Sequence, residues 1–500
     1  MGLEGGRRDA REGRRSLGLS LFRAAGRYPS DAFAQATLLG VSSVAPRPRG
    51  APAPLVSAPR AHEPTRSSPP LVNGAAMTRR VLFVSYVFPP MPAGGSVRTG
   101  QLARFLPERG WEVSVVTVAC SPSMSVDAPA VEALPSTVQV HRAKGPNQLV
   151  ATRGRPNVQS GWTGRLRRLA VGAASMAPVP DRQIGWYPAA CRVGRRALAT
   201  TSHDVVLASF GPATSAIVGA RLARQAGLPF VLDYRDLWSD TPHDLYFSSW
   251  HRRRAAARER KCVQQAVRIT CASEPMAEHL ASQHSRAPAE VVAVPNGFDP
   301  AWASPHTRTP DGPLRLVYTG AVHRFQSVGR FLQGLRLAAD RGLASGDLHV
   351  TFVGNLDPGV PRDLGVADFV TCESFKPHEE VRRILAKSDC ALLIERPGYR
   401  GKFSYSAKTF DYAVTGMPVL ALVEEDSNSA GLLRELDTAT IVPPDNPDAI
   451  AKALLDLANG SGPSARAVNI SESPLKDFNR RTLAARLAGV LDEARQVEPR

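Results

Sequence analysis

The 500-residue chain is short of several things, and each shortage excludes something. It has six cysteines, none in a C-x-x-C pair. A disulfide scaffold and a zinc ribbon are therefore not expected, and a reducing cytoplasm is the default compartment. No run approaches 18 uninterrupted apolar residues, so no spanning helix is expected. Four motifs are also missing: G-x-x-x-x-G-K-[ST], G-x-G-x-x-G after a strand, H-E-x-x-H and G-x-S-x-G. Their absence disfavours a P-loop NTPase, a dinucleotide dehydrogenase, a zinc protease and an α/β-hydrolase. Aromatic residues make up 6%. The basic stretch 141–200 carries only Trp162, Trp186 and Tyr187, too few to alternate with its arginines as a nucleic-acid platform would require.

What is present is a globular composition with an uneven charge. Apolar residues reach 43% and charged residues 21%, as in packed domains, and the length fits two or three of them. The net charge is +17. Residues 1–76 contribute +6 and residues 141–200, with Asp181 as their single acid, contribute +10. Such an excess concerns partners rather than fold.

Residues 1–76 read as a disordered or mis-assigned extension. Eight prolines fall between Pro46 and Pro70, and such a segment cannot bury enough apolar area to offset its ordering entropy. Leu17–Phe22 is too short for the core of a secretory signal. An Arg-rich transit peptide fits better, though five acids oppose it. Translation from Met77 is the alternative.

From Arg80 the pattern becomes periodic. Val81–Tyr86, Trp111–Val118, Asp204–Ser209, Pro229–Asp233, Val267–Cys271 and Glu290–Pro295 are short apolar runs suited to strands buried on both faces. Helices fit between them at 96–106, 213–227, 252–266 and 274–283. Residues 301–313 have the composition of a linker. The pattern then restarts, with strands at 314–319, 348–353, 366–372, 390–394 and 418–423 and helices at 327–340, 378–387 and 406–415. The expected architecture is α/β, with two Rossmann-like, doubly wound parallel sheets facing across a cleft. Domains are expected at 77–300 and 314–474, with a last segment at 475–500. Ligands of such folds sit at the carboxyl ends of strands.

Four loops at strand ends carry candidate chemistry. Gly94 and Gly95 precede a helix start, where backbone N–H groups and Arg98 can hold a phosphate or an acceptor sugar; a tight turn with a solvated arginine is the alternative. Arg235 and Asp236 follow the strand at 229–233, and the aromatics of Asp233–Trp238 can form a sugar-stacking wall; a local Arg–Asp pair is the alternative. Ser406, Lys408 and Asp411 lie on one helix. Lys408 and the helix N–H groups suit a diphosphate, and Asp411 suits a ribose diol; a plain i, i+3 ion pair is the alternative. Gly320 ends a strand, and His323 or Arg324 can reach the same phosphates.

These stretches, in order, resemble glycosyltransferase family 4 of the GT-B superfamily. The resemblance rests on Phe88-Pro-Pro with Gly94-Gly95, on Leu102–Val116, on Asp233–Trp238, on Val294-Pro-Asn-Gly-Phe-Asp299, on Tyr318-Thr-Gly320 and on Ser406–Val419, and it covers roughly residue 78 to the end. It implies transfer of a sugar, with retention of configuration, from a nucleoside-diphosphate sugar to a glycan or lipid-linked acceptor. No metal or other cofactor is implied. The donor-binding residues would be Gly320, Ser406, Lys408 and Asp411, with Lys408 and Arg324 as the catalytic cations. Gly94, Gly95, Arg98, Arg235 and Asp236 would form the acceptor or phosphate loop. The last helix, 475–496, with Leu483, Leu487 and Leu491 on one face, would return to the first domain. One departure stands out: many family members carry Glu-x7-Glu, and the first Glu falls at Phe403 here, as in members whose helix begins Ser-x-Lys.

The resemblance also suggests polysaccharide or glycolipid biosynthesis in the cytoplasm. The stretch Gly164–Ala170 suggests peripheral contact at the inner membrane face, with a solvated basic insertion as its alternative. Nucleic acid is not an expected partner. A sugar-nucleotide epimerase of the same fold is the alternative activity, and a basic nucleic-acid-binding protein the alternative outside enzymes.

Overall fold

A strand that is apolar on both sides must be covered on both sides, and the strands here obey that demand in a computed structural model. The described residues are 78–91, 94–120, 131–145, 180–241, 246, 248–302, 306, 312–322, 328–395, 397–465 and 468–500. The extension 1–76, Met77, the helix suggested at Gly164–Ala170, most of the linker, and His323 and Arg324 lie outside them.

The first lobe holds β1 (Arg79–Val84), α1 (Gly94–Phe105), β2 (Trp111–Val118), β3 (Gln139–Ala143), α2 (Tyr187–Thr200), β4 (Val205–Phe210), α3 (Ala213–Ala226), β5 (Phe230–Tyr234), α4 (Ser249–Gln265), β6 (Ala266–Cys271), α5 (Glu274–His284) and β7 (Val291–Ala293). Its seven strands run parallel in the order β3-β2-β1-β4-β5-β6-β7. Alternate residues of β1 feed opposite cores. Leu82 and Val84 pack beneath α2 and α3, while Val81 and Phe83 pack on the other face.

The second lobe holds β8 (Leu314–Gly320), α6 (Val328–Asp340), β9 (Leu348–Gly354), α7 (Gly359–Asp363), β10 (Val370–Glu373), α8 (His378–Ala386), β11 (Cys390–Ile394), α9 (Tyr399–Phe403), α10 (Ala407–Ala413), β12 (Val419–Leu422), α11 (Asn428–Leu436), β13 (Ala439–Val442) and α12 (Pro447–Ala458). Its six strands are parallel in the order β10-β9-β8-β11-β12-β13. The same alternation recurs on β11, whose Leu392 and Ile394 face one core and whose Ala391 and Leu393 face the other.

The two lobes exchange chain twice. The outgoing segment after β7 and the segment before the last helix, α13 (Arg480–Arg495), lie side by side. Phe298 N donates to Phe478 O (3.1 Å) and Arg480 N donates to Phe298 O (3.2 Å). Position 297 must be glycine, because a Cβ there would lie 1.9 Å from Phe478 O. Leu483, Leu487, Val490 and Leu491 of α13 then bury themselves with Val81, Phe83, Val205 and Val231 of the first sheet. Each such side chain contributes about 1.5–3 kcal/mol.

The sequence misplaces or misses several elements. The strand expected at 366–372 is a short 3-10 turn, Ala367–Phe369, followed by β10. The α13 segment is split by Asn479, whose side chain accepts from Arg481 N and caps the helix. No strand is expected at β3 or β13, and no helix at α2, α11 or α12. β3 and β13 are partly exposed edge strands, without the apolar runs that mark central ones. The helix expected at 406–415 is the shorter α10.

Candidate functional site

The carboxyl ends of β1, β4 and β5 form the floor of the first lobe's side of the cleft. Asp233 lies inside β5 with 2% exposure. A buried carboxylate needs a partner, and Arg98 on the first turns of α1 supplies it. Arg98 Nη2 donates to Asp233 Oδ1 (2.8 Å), and Nη1 donates to Pro295 O (2.9 Å) at the first interlobe crossing. Ser209 and Thr270 hydroxyls donate to the same carboxylate at 2.8 and 2.9 Å. Burial would raise the Asp233 pKa; the Arg98 charge and these hydrogen bonds outweigh it and hold the carboxyl below the usual range. Arg98 is thus an internal clamp. It is buried rather than solvated, with only an edge reaching the pocket between the lobes.

Arg235 is the arginine that reaches the glycine pair. Its guanidinium lies against Gly95, where a Cβ would fall 1.3 Å from Nη1, and Nη2 donates to Gly211 O (2.9 Å). The Arg235–Asp236 pair is long, at 3.9 Å. Gly95, Gly211, Arg235 and Asp236 therefore form one cluster, with Gly94 at the neighbouring start of α1. The aromatics of this loop are structural. Tyr234 is fully buried, and Trp238, 3% exposed, stacks on Phe210 at 5.1 Å. They are core residues and form no sugar-stacking wall.

On the second lobe, α10 is fixed to β8 by Tyr412, whose hydroxyl meets Thr319 N (3.1 Å) and Oγ1 (3.0 Å). That places Lys408 beside Gly320: a Cβ on Gly320 would lie 3.0 Å from Lys408 Cε. Lys408 Nζ donates to Tyr318 Oη (2.6 Å) and sits 3.9 Å from the ring centroid. Burial pushes the Lys408 amine down to about 7, against the upward pull of Glu395 and Asp411. Such a lysine gains charge when an anion arrives.

Asp411 faces two cations, Lys408 and Arg480 at the start of α13. Burial lowers the Arg480 pKa, with Asp411 and Asp299 opposing. Ser406 occupies the position before α10 in extended conformation, and its side chain makes no capping bond. Its backbone N–H instead donates to Glu395. Phe403 bridges the lobes. Its carbonyl accepts from Ser273 Oγ (2.7 Å) and its ring lies 4.9 Å from His279, which pairs with Asp240 at 2.8 Å.

A small pocket between the lobes is lined by Gly94, Arg98, Asn296, Ala407 and Arg480, among others. It joins the start of α1 to the start of α10, so the glycine loop and the Lys408 helix share one crevice. Two residues escaped the sequence reading. Asp233 had a signal, as the one charged residue inside Phe-Val-Leu-Asp-Tyr. Glu395 follows Ala-Leu-Leu-Ile directly, at a strand's carboxyl end, and nothing about its spacing to Asp411 marks it.

Two parallel-sheet lobes, crossed twice by the chain and opening at their strand ends, define the GT-B fold. Residues 93–297 match the glycosyl transferase 4-like domain family. Among solved structures, sucrose-phosphate synthase from Thermosynechococcus elongatus aligns at 16% identity and TM-score 0.57, over 83% of this chain and 98% of that one. A glycosyltransferase from Rickettsia africae aligns at 11% and 0.52, over 84% and 99%. WaaG, a glycosyltransferase involved in lipopolysaccharide biosynthesis, aligns at 14% and 0.52, over 82% and 99%. At these identities the likeness shows the fold alone. No curated protein matches the chain. The domain match and the fold together support a glycosyltransferase. Among the described residues no helix is long and apolar enough to cross a membrane.

Proposed function

We propose that the protein transfers a sugar from a nucleoside-diphosphate sugar to a glycan or lipid-linked acceptor, with retention of configuration. The observation that carries this reading is Lys408, whose amine is held against Tyr318 at the carboxyl edge of the second sheet, one residue after Ala407, which lines the crevice shared with Gly94 of the glycine loop. The donor diphosphate would lie against Lys408 and Gly320, and Asp411 would accept from the ribose hydroxyls. Arg324, outside the described residues, is the second candidate cation. The acceptor would enter against Gly94, Gly95, Arg235 and Asp236. Its hydroxyl forms the new bond to the anomeric carbon on the face from which the diphosphate leaves, and the hydroxyl proton passes to a departing phosphate oxygen. This scheme calls for no metal, because the charge that develops on the departing diphosphate is offset by the Lys408 cation.

One well-placed electrostatic donor is worth about 3–4 kcal/mol in acyl-transfer enzymes, and the same scale is expected here. Lys408→Ala should therefore lower kcat by roughly 100- to 1,000-fold. Thermal-shift screening against UDP-, GDP- and ADP-sugars identifies the donor, and single-turnover assays with that donor measure the variant. Unchanged turnover in Lys408→Ala removes the proposed role. A place in cell-surface polysaccharide or glycolipid synthesis, in the cytoplasm or at the inner membrane face, accords with a lipid-linked acceptor and the basic segment 141–200. Binding of the full chain to anionic vesicles at low salt tests the membrane contact.

A further inference from the structure

Among the described residues, Glu395 is the one carboxylate near Lys408 that the proposed reaction leaves without a task. It is the first residue beyond β11, with its backbone still tied to the sheet by Glu395 N donating to Leu422 O (3.1 Å). Ser429 Oγ donates to Glu395 Oε1 (2.5 Å). Ser429 spends its only proton there, so in the 2.9 Å contact between Thr409 Oγ1 and Ser429 Oγ the donor is Thr409. Thr409 and Ser429 are both fully buried. On the other side, Ser406 N–H donates to the same carboxylate. One acid therefore holds the chain two residues before Lys408 and, through Ser429, one residue after it.

We propose that Glu395 is a positioning residue for the donor site, fixing the turn that carries Lys408 and keeping Lys408 an ammonium ready for a diphosphate. The proposal rests on the donor reading given above. The groups facing Lys408 are Glu395 from β11, Asp411 from its own helix and Tyr318 Oη from β8. Asp411 is shared with Arg480, which leaves Glu395 as the acid without a competing arginine among the described residues. Burial disfavours the Lys408 charge, and Glu395 offsets that penalty. Burial likewise pushes the Glu395 carboxyl up, and the Ser429 and Ser406 bonds and the Lys408 charge pull it back. The two groups support each other's ionised form.

Glu395→Gln keeps the shape and removes the charge. The chain has eight lysines, few enough for lysine amines to be followed one by one. In the full chain, without ligand, NMR titration of 13C-dimethylated lysines, with Lys408 assigned through Lys408→Arg, should find the Lys408 midpoint lowered by about 1 pH unit or more in Glu395→Gln, the usual effect of removing a nearby opposite charge. Calorimetry with UDP, GDP and ADP should show the diphosphate affinity of this variant falling at a lower pH than in wild type. Lys408→Arg added to Glu395→Gln should restore affinity at pH 8, because arginine stays charged. Ser429→Ala cuts the Thr409 arm and keeps the acid, with one hydrogen bond fewer to hold it ionised, so it should weaken binding and move the Lys408 midpoint less than Glu395→Gln does. An unmoved Lys408 midpoint in Glu395→Gln, or an affinity loss equal at every pH that Lys408→Arg does not rescue, overturns the proposal. Wild type that binds none of the three diphosphates overturns the donor reading instead, whatever the midpoint does.

Discussion

Arg98→Met should be among the most damaging single substitutions in the first lobe, although Arg98 sits where a substrate-binding arginine was expected. The side chains of Arg98 and Asp233 are 4% and 2% exposed, and the carboxylate has no water to fall back on. Removing one member of such a buried pair costs about 3–5 kcal/mol, since it strands the other charge. In a lobe of this size each kcal/mol moves the melting temperature by about 2–4 °C, so a fall of roughly 6–20 °C is expected. In wild type the Asp233 pKa lies below its ordinary 3.8, so the pair's contribution is complete at neutral pH and is lost only in strong acid, as pH falls through the folded value. In Arg98→Met only burial and the Ser209 and Thr270 hydroxyls remain, and the folded pKa rises above the unfolded one. Between those two values the unfolded chain is ionised and the folded one protonated, so the variant gains stability as pH falls. The deficit is therefore largest at pH 7 and shrinks towards pH 4. Melting followed by circular dichroism at pH 7 and 5 measures this. Arg98→Met with Asp233→Asn, which keeps an acceptor for the two hydroxyls, should recover more than half of the loss. A single variant that melts within about 2 °C of wild type, equivalent to less than 1 kcal/mol, would refute the clamp and return Arg98 to the list of ligand groups.

Three further outcomes are expected. Gly95→Ala places a Cβ where Arg235 Nη1 now lies, so Arg235 must leave the cluster; steady-state kinetics should show acceptor KM raised, with diphosphate affinity unchanged. Leu487→Ala hollows the α13 contact with the first sheet, and urea unfolding should show a loss of about 2–5 kcal/mol together with early proteolysis at the C-terminus. Asp411→Ala should weaken donor binding, read by calorimetry with the donor identified by thermal shift; an unaltered affinity removes the ribose assignment and leaves Asp411 as the partner of Arg480.

Much of the fold is legible because a parallel sheet writes itself plainly. Val81–Val84, Val205–Ala208 and Cys390–Ile394 are continuous apolar runs and are buried throughout. The strands at the edges are not so written. β3 reads Gln-Val-His-Arg-Ala, and only its last residue is buried. α2 hides for a different reason, since its buried face is Ala190, Cys191, Gly194 and Ala197, too small to stand out as a stripe. At the site, chain proximity alone is enough to group Ser406, Lys408 and Asp411, which one short helix and the residue before it carry. It failed where the partner comes from a distant strand. Arg98 and Asp233 are 135 residues apart, and only the fold joins them.

The same difference explains the place where an acid was missing. Counting back along the chain from Asp411 arrives at Phe403, an apolar ring where many relatives by resemblance carry Glu. In space that residue is spent on the junction of the two lobes. Its carbonyl takes the Ser273 hydroxyl that also caps α5, and its ring rests on His279. A carboxylate there would lose the ring contact with His279 and would stand near Asp240, the acid that pairs with His279. The chain instead carries a half-buried acid at Glu395, eight positions earlier, where the strand delivers it beside the turn that holds Lys408. Phe403→Glu should therefore not restore a catalytic acid: without the ring contact the lobes should part more readily, and donor turnover should fall rather than rise. A gain in turnover would mean that the cleft tolerates an acid at 403 and that Glu395 does not stand in its place.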